Sequence, residues 1–259
     1  MNIHSPLYLF FDLDGTVLVN HKLPPQNLAA MKRAQAMGHK LILNTGRSRG
    51  GYATVPHAHV VPWDGMCFSA SDIMYEGRDI SHVTVSEKDF HIWLEYCMTY
   101  RVRLAYCGRK WLENLDFTVY DAPLTEAEKN KHRAYADELY AKNPLTNVSV
   151  HSVIPPETIP PESGITPIQL STYADLFPAG SSKGKVIEDF CAALHVPIEQ
   201  CVCFGDSAND VDMFRVCPTS YAMSYAPDEL KRHATYVATG EYGVAEGLSH
   251  LLGFSLDEE

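Results

Sequence analysis

Two carboxylates, Asp12 and Asp14, stand directly behind an apolar run, Leu7-Tyr-Leu-Phe-Phe11. Side chains alternate faces along a strand, so residues two apart point the same way. If the extended geometry persists to Asp14, both carboxylates share one side while Leu13 turns back toward the core. Gly15 then lets the chain turn sharply. Two acids crowded at the carboxyl end of a buried strand repel each other and resist desolvation, so they need a cation, a shared proton, or both. A solvated acidic turn behind an edge strand is the bland alternative that spacing alone leaves open.

A second acidic group, Gly205-Asp206-Ser-Ala-Asn209-Asp210, follows the apolar Cys201–Phe204. Asp206 and Asp210 are four apart, hence neighbours on one helical face if a helix begins near Asp206. Alone, Asp206 or Ser207 reads as a helix cap, where the dipole favours negative charge. Beside Asp12 and Asp14 the balance reverses. Four carboxylates at adjacent strand ends need a hard divalent cation, and Mg2+ accepts a few carboxylates together with water and a phosphate oxygen.

Thr45 offers a hydroxyl, and Gly46 a backbone N–H that an anion can approach without a Cβ in the way. An ordinary strand-to-helix turn would use the same residues. Lys183, in Ser181-Ser182-Lys183-Gly184, stands at the start of a predicted helix; a solvated lysine is its alternative and the favoured reading of Lys185. The stretch Gly180 to Lys185 is not a P-loop, because three residues separate its glycines instead of four and Val186 stands where Ser or Thr is required. Arg47 and Arg49 could meet substrate anions or sit as surface charges. His57 and His59 alternate without an acid or cysteine at metal-site spacing and read as solvated loop residues. Trp111, Glu113 and Asn114 read as a packed tryptophan with solvated neighbours.

The elements around these groups alternate strand and helix. Leu7–Phe11 has the continuous apolarity of a parallel strand buried on both faces. Pro24-Pro25 opens a helix with Leu28, Met31 and Ala34 at helical spacing, and Gly38 closes it. His39–Leu43 is a second strand, and a further helix leads to Met66–Phe68, a third. Near the other end, Ile187, Phe190, Cys191 and Leu194 mark an amphipathic helix, followed by strand Cys201–Phe204, helix Asn209–Val216 and short strands at Ser220–Met223 and Tyr236–Ala238. This is a doubly wound α/β pattern whose terminal blocks form one parallel sheet. Ligands bind such sheets beyond the carboxyl ends of the strands, where all four chemical groups fall.

The middle block differs. Phe90, Trp93, Leu94 and Cys97 stripe one helix, Thr125–Lys142 is a charged surface helix, and Val102–Cys107, Trp111–Leu115, Val148–Val153 and Ile168–Ser171 read as strands. Pro155-Pro156 and Pro160-Pro161 mark a loop. The expected division is a discontinuous core of 1–80 and 179–259 with an inserted α+β domain at 81–178.

Composition bounds the function. The 259 residues are 46% apolar and 20% charged with net charge -11, which argues against a nucleic-acid or anionic-membrane surface. No apolar run reaches the length of a membrane span, and no signal-peptide pattern opens the chain. Seven cysteines without CxxC spacing read as core residues in a reduced cytoplasm. No obligatory protein partner is evident.

Taken in order, Asp12-Leu-Asp14-Gly-Thr16, Thr45-Gly46-Arg47, Lys183 and Gly205-Asp206-Ser-Ala-Asn209-Asp210 resemble the four motifs of the haloacid dehalogenase superfamily, in its Cof-like group with a large C2-type α/β cap. The resemblance covers nearly the whole chain. It implies a Mg2+-dependent phosphatase acting on a small phosphorylated metabolite through an aspartyl-phosphate. A phosphomutase is the alternative, and a non-catalytic phospho-ligand-binding protein a more distant one. By the same resemblance Asp12 is the nucleophile and Asp14 the general acid and base. The metal ligands are Asp12, the Asp14 carbonyl and Asp206, with Asp210 supporting them from behind. Thr45, Gly46, Lys183, Asn209 and the Leu13 N–H hold the phosphoryl oxygens, and Arg47 meets substrate. Two places depart from the group's pattern: Ser69-Ala70-Ser71 replaces Asn-Gly-Ala, and Ser224-Tyr225 replaces Gly-Asn, so that Tyr225 narrows the mouth.

Overall fold

The structure, a computed structural model, describes residues 5–56 and 58–255. The chain forms two compact units. The first takes in the described residues up to Gly46, Val55–His82 and those from Ser182 onward. The second takes in Arg47–Thr54 and Val83–Ser181.

The first unit is built on an eight-stranded sheet. Its strands are β1 (Tyr8–Phe11), β2 (Lys40–Thr45), β3 (Gly65–Phe68), β4 (Asp72–Tyr75), β5 (Arg78–His82), β11 (Cys201–Gly205), β12 (Thr219–Ala222) and β13 (Tyr236–Val237), in the order β13-β12-β11-β1-β2-β3-β4-β5. From β13 to β3 every pairing is parallel, while β4 and β5 add an antiparallel edge. The apolar run of β1 explains its central place, since both of its faces are covered. On one face Phe11 stacks on Phe204, and Phe204 on Tyr221, at centroid separations of 4.7 and 4.8 Å. Helix α7 (Gly243–Leu252) lies on this stack through Gly247, where a Cβ would come within 2.8 Å of Phe204. On the other face Phe10 meets Phe190 of helix α5 (Lys183–Leu194) edge to face at 5.3 Å. Burying each such side chain contributes about 1.5–3 kcal/mol.

The β4–β5 hairpin is absent from the sequence reading. Its turn residues Glu76 and Gly77 both have positive φ, +47 and +73, as a two-residue hairpin turn requires. A glutamate is a poor advertisement for that conformation, so the turn left little trace in the sequence. Helix α1 (Pro25–Ala36) runs as expected, with Gly38 at φ +94 beyond its end. The crossover helix expected between β2 and β3 is only four residues, α2 (Arg49–Tyr52), and it belongs to the second unit.

The second unit has a five-stranded antiparallel sheet of β6 (Arg103–Gly108), β7 (Leu112–Asp116), β8 (Leu145–His151), β9 (Ile168–Gln169) and β10 (Ala174–Leu176), in the order β7-β6-β8-β10-β9. Its core joins Phe90, Trp93, Leu94 and Cys97 of helix α3 (Glu87–Tyr100) to Leu104, Tyr106, Val148 and Leu176 of the sheet. Helix α4 (Glu126–Lys142) buries only Ala136 and Leu139. Its start is a capping box in which Glu128 N–H donates to the Thr125 hydroxyl and Thr125 N–H donates to the Glu128 carboxylate. Strand β10 is a further element that the sequence reading lacks. Trp111 precedes β7 and is 38% exposed, so the expectation of a packed tryptophan fails; its backbone is held instead, the Asn143 side-chain amide donating to the Trp111 carbonyl at 2.9 Å.

Candidate active site

The site residues of the first unit meet because β1 has β2 on one side and β11 on the other. Phe11 is level with Leu43 across one ladder and with Phe204 across the other, so the residues leaving all three strands emerge side by side. The chain order reverses here, which opens a crevice at the carboxyl ends of a parallel sheet. Asp12 continues the β11 ladder by one bond, its N–H donating to the Phe204 carbonyl at 3.0 Å.

Lys183 opens α5 behind its cap Ser182, whose hydroxyl accepts from Lys185 N–H. Its Nζ lies 2.5 Å from Asp12 Oδ1 and 2.5 Å from Asp210 Oδ1, with all three side chains buried. Asp210 turns its other oxygen back to accept the backbone N–H groups of Asp206 (2.9 Å) and Ser207 (3.0 Å). The Thr16 hydroxyl donates to Asp206 Oδ1 at 3.0 Å. Asp12, Asp206 and Asp210 thereby bring carboxylate oxygens within 4.8 Å of one another. Gly15, at φ +90, is what allows so close an approach, since a Cβ there would stand 2.3 Å from Asp206 Oδ2.

Two sequence expectations change. Asp206 and Asp210 do meet, but not across a helical face. Ala208–Asp210 is a 3-10 turn before helix α6 (Val211–Val216), and the Asp210 carboxylate folds back onto the N–H groups at the start of that turn. Asp14 does not share a strand face with Asp12. Strand β1 ends at Phe11, and the Asp12–Thr16 segment turns, with Leu18 N–H donating to the Leu13 carbonyl and Gly15 N–H to the Leu18 carbonyl. Asp14 is half-buried and stands outside the carboxylate trio, while the Leu13 side chain is fully buried as expected.

The electrostatics follow from one ammonium facing three carboxylates. Burial pushes the Asp12 carboxyl well above its ordinary range; Lys183 opposes this, and Asp210 and Asp206 add to it. Burial, then Asp210, raises Asp206 to about 6. Burial opposes the charge on Lys183, yet Asp12 and Asp210 outweigh it and hold its pKa above the usual lysine range.

The other residues expected from the sequence take the following places. Thr45 ends β2 and is buried, with Gly46 following half-exposed. Asn209 accepts from the Ser207 hydroxyl at 2.7 Å. Arg47 groups with the second unit, where its charge acts on Asp175. Lys185 pairs with Asp189 on the surface, as its solvated reading requires. His57 lies outside the described residues, and His59 is exposed. All seven cysteines are free and buried. Among the described residues no helix is long and apolar enough to cross a membrane.

Residues 9–248 match the haloacid dehalogenase-like hydrolase family. The chain belongs to that family. Phosphatase YwpJ of Bacillus subtilis is 24% identical to it over 280 residues, covering 93% of this chain and 98% of that protein. The chloroplastic endoribonuclease YBEY of Arabidopsis thaliana is 25% identical over 271 residues, covering 93% of this chain but 46% of that protein. Because the chain spans less than half of YBEY, that name carries no argument about activity. The solved phosphatase BT1666 of Bacteroides thetaiotaomicron superposes with a TM-score of 0.80 at 21% identity, covering 98% of this chain and 97% of its own. This haloacid dehalogenase-like hydrolase has the parallel-sheet core and the inserted α+β unit that its motifs imply.

Three residues near the hydrolase's acid cluster make contacts that the sequence does not reveal. Thr16 lay inside a quoted motif, and its small hydroxyl beside an acid pair was the available signal. Asn44 is fully buried and its amide donates to the Lys183 carbonyl at 3.0 Å, a link that nothing in the local sequence reveals. Tyr225 is a departure legible in the sequence, but its partner is not: the phenol donates to the Gly15 carbonyl. At the other departure, Ser69 and Ala70 take φ +50 and +54 directly after β3. Two successive non-glycine residues in that conformation cost about 1–2 kcal/mol each.

Proposed function

We propose that this hydrolase is a Mg2+-dependent phosphatase of a small phosphorylated metabolite, carrying the phosphoryl group transiently on Asp12. The observation that supports this most strongly is the Lys183 ammonium between Asp12 and Asp210, in a largely buried carboxylate trio where burial and neighbouring charge raise the pKa values of Asp12 and Asp206.

The trio fits a divalent cation. Its donors are all oxygen, and negative charge exceeds the single ammonium, which suits a hard ion such as Mg2+. Asp12, Asp206 and the Asp14 carbonyl would hold it. Asp210 is spent on Lys183 and on two backbone N–H groups, so its part is to fix Lys183 and the Asp206 turn. When bound, the ion offsets charge on the carboxylates and on the phosphoryl oxygens.

Lys183, Thr45 and the N–H groups of Leu13 and Gly46 would orient the phosphoryl group, with Asn209 beside them. An Asp12 oxygen attacks phosphorus and the ester P–O bond breaks, while Asp14 delivers its proton to the departing oxygen. Asp14 then takes a proton from water as that water attacks the acyl phosphate. Inorganic phosphate leaves and Asp12 is regenerated. Electrostatic stabilisation of the equatorial oxygens supplies most of the rate enhancement in such transfers. The second unit is proposed to act as the cap, with Arg47 contributing to substrate contact.

The test is phosphate release from 4-nitrophenyl phosphate with Mg2+, in wild type and Asp12→Asn. Undiminished turnover in the variant, or after complete chelation of metal, would sink the mechanism.

A further inference from the structure

We infer that Tyr225 touches the leaving group and favours phosphomonoesters whose alcohol carries a flat ring; this rests on the phosphatase reading above. Tyr225 sits in the turn after β12, which Ala226 N–H closes by donating to the Met223 carbonyl at 3.0 Å. The turn is fixed on both flanks. Met223 N–H donates to the Gly205 carbonyl at 3.0 Å, and the Ser224 hydroxyl to the Gly240 carbonyl at 2.9 Å. From this anchored position the phenol reaches the Asp12–Thr16 turn and donates to the Gly15 carbonyl.

Gly15 itself lies against Asp206, so the tyrosine ends beside the acid cluster. Burial, then the charges of Asp206 and Asp12, raises the phenol to about 12, and the hydroxyl stays a donor. With that hydroxyl committed, the ring faces are what Tyr225 can offer to another molecule. The residue is 48% exposed, whereas Phe11, Phe204 and Tyr221 in the same unit are buried in their stack. A side chain tied at both its backbone and its polar end has little rotamer freedom left to lose on stacking. Aromatic pairing adds to the area buried, and an acyclic alcohol has no face with which to form it.

The experiment compares benzyl phosphate with n-butyl phosphate, whose leaving alcohols are both primary, in wild type, Tyr225→Phe and Tyr225→Ala. The expected result is a wild-type preference for the benzyl ester. Tyr225→Ala lowers the benzyl-to-butyl ratio of kcat/KM by about 3- to 10-fold, the size of an aromatic pairing, mainly through KM for the benzyl ester. Tyr225→Phe keeps the ratio and moves both rates together, because it removes only the bond to Gly15. A ratio that survives Tyr225→Ala, or no wild-type preference, overturns the inference while 4-nitrophenyl phosphate turnover still upholds the phosphatase. Loss of all wild-type turnover, 4-nitrophenyl phosphate included, removes both.

Discussion

Two clusters in this protein have similar ligand atoms and opposite surroundings. In the first unit Asp12, Asp206 and Asp210 converge with Lys183 at the carboxyl ends of β1 and β11. In the second, Glu87 and His91 of α3 meet Asp137 of α4, with His91 Nε2 2.9 Å from Asp137 Oδ1. Both bring their ligand atoms within 4.8 Å of one another. The first is largely buried, so each charge has lost water and raises the cost of its neighbours. In the second, Glu87 and Asp137 are exposed and water screens them, so the same proximity carries little energy. Spacing of ligand atoms thus says less than the dielectric around them.

The largest separation between the clusters should appear in turnover. Asp12→Asn is expected to lower kcat by at least about 10^3-fold, because the nucleophile is lost while the side chain keeps its shape. Steady-state phosphate release measures this, with circular dichroism to confirm the fold. A variant retaining a tenth of the activity would break the contrast.

Lys183→Met should come next, read as stability by urea unfolding. It leaves Asp12 and Asp210 buried without their cation, a loss of about 3–5 kcal/mol at neutral pH. The loss should shrink as pH falls, because protonated carboxyls no longer need the ammonium.

A smaller effect lies in the pH dependence of the metal-free protein. Asp206 sits near 6 when folded against an ordinary 3.8, so between about pH 4 and 6 the folded state holds the proton that the unfolded chain has released. Stability should therefore fall as pH rises through that window, by about 2 kcal/mol. Asp175 in the second unit, raised to about 6 chiefly by burial, adds a contribution of the same sign. Saturating Mg2+ should remove the Asp206 part and leave that of Asp175. Unfolding at several pH values, with and without Mg2+ and in Asp206→Asn, separates the two.

The smallest effect is expected at the exposed cluster. His91→Ala should leave turnover and its Mg2+ dependence unchanged and shift the melting temperature by no more than about 2 °C. A larger loss of Mg2+ response would show that both clusters bind the ion.

How much of this was legible varied with the kind of interaction. The doubly wound sheet could be read because β1 and β11 are apolar throughout, a pattern that burial on two faces imposes. Lys183 could be placed at a helix start because Ser182 caps it locally. The β4–β5 hairpin was hidden by Glu76, which holds a positive φ that its residue type seldom advertises. Asn44 was hidden for another reason: its partner, the Lys183 carbonyl, lies far away in the chain, and a buried asparagine in a strand gives no sign of where its amide points.

By itself the sequence determined which groups this protein has for chemistry, and in which order the chain delivers them. Residue type fixes acid, hydroxyl or ammonium, and periodicity fixes the element that carries each. Tertiary structure alone decided how they meet. It took Asp14 out of the carboxylate trio by ending β1 at Phe11. It turned Asp210 back onto the Asp206 N–H while giving its other oxygen to Lys183. It also laid Tyr225 on Gly15. Each outcome depends on strand register and burial, which arise from contacts between distant residues and are written in no single stretch of the chain.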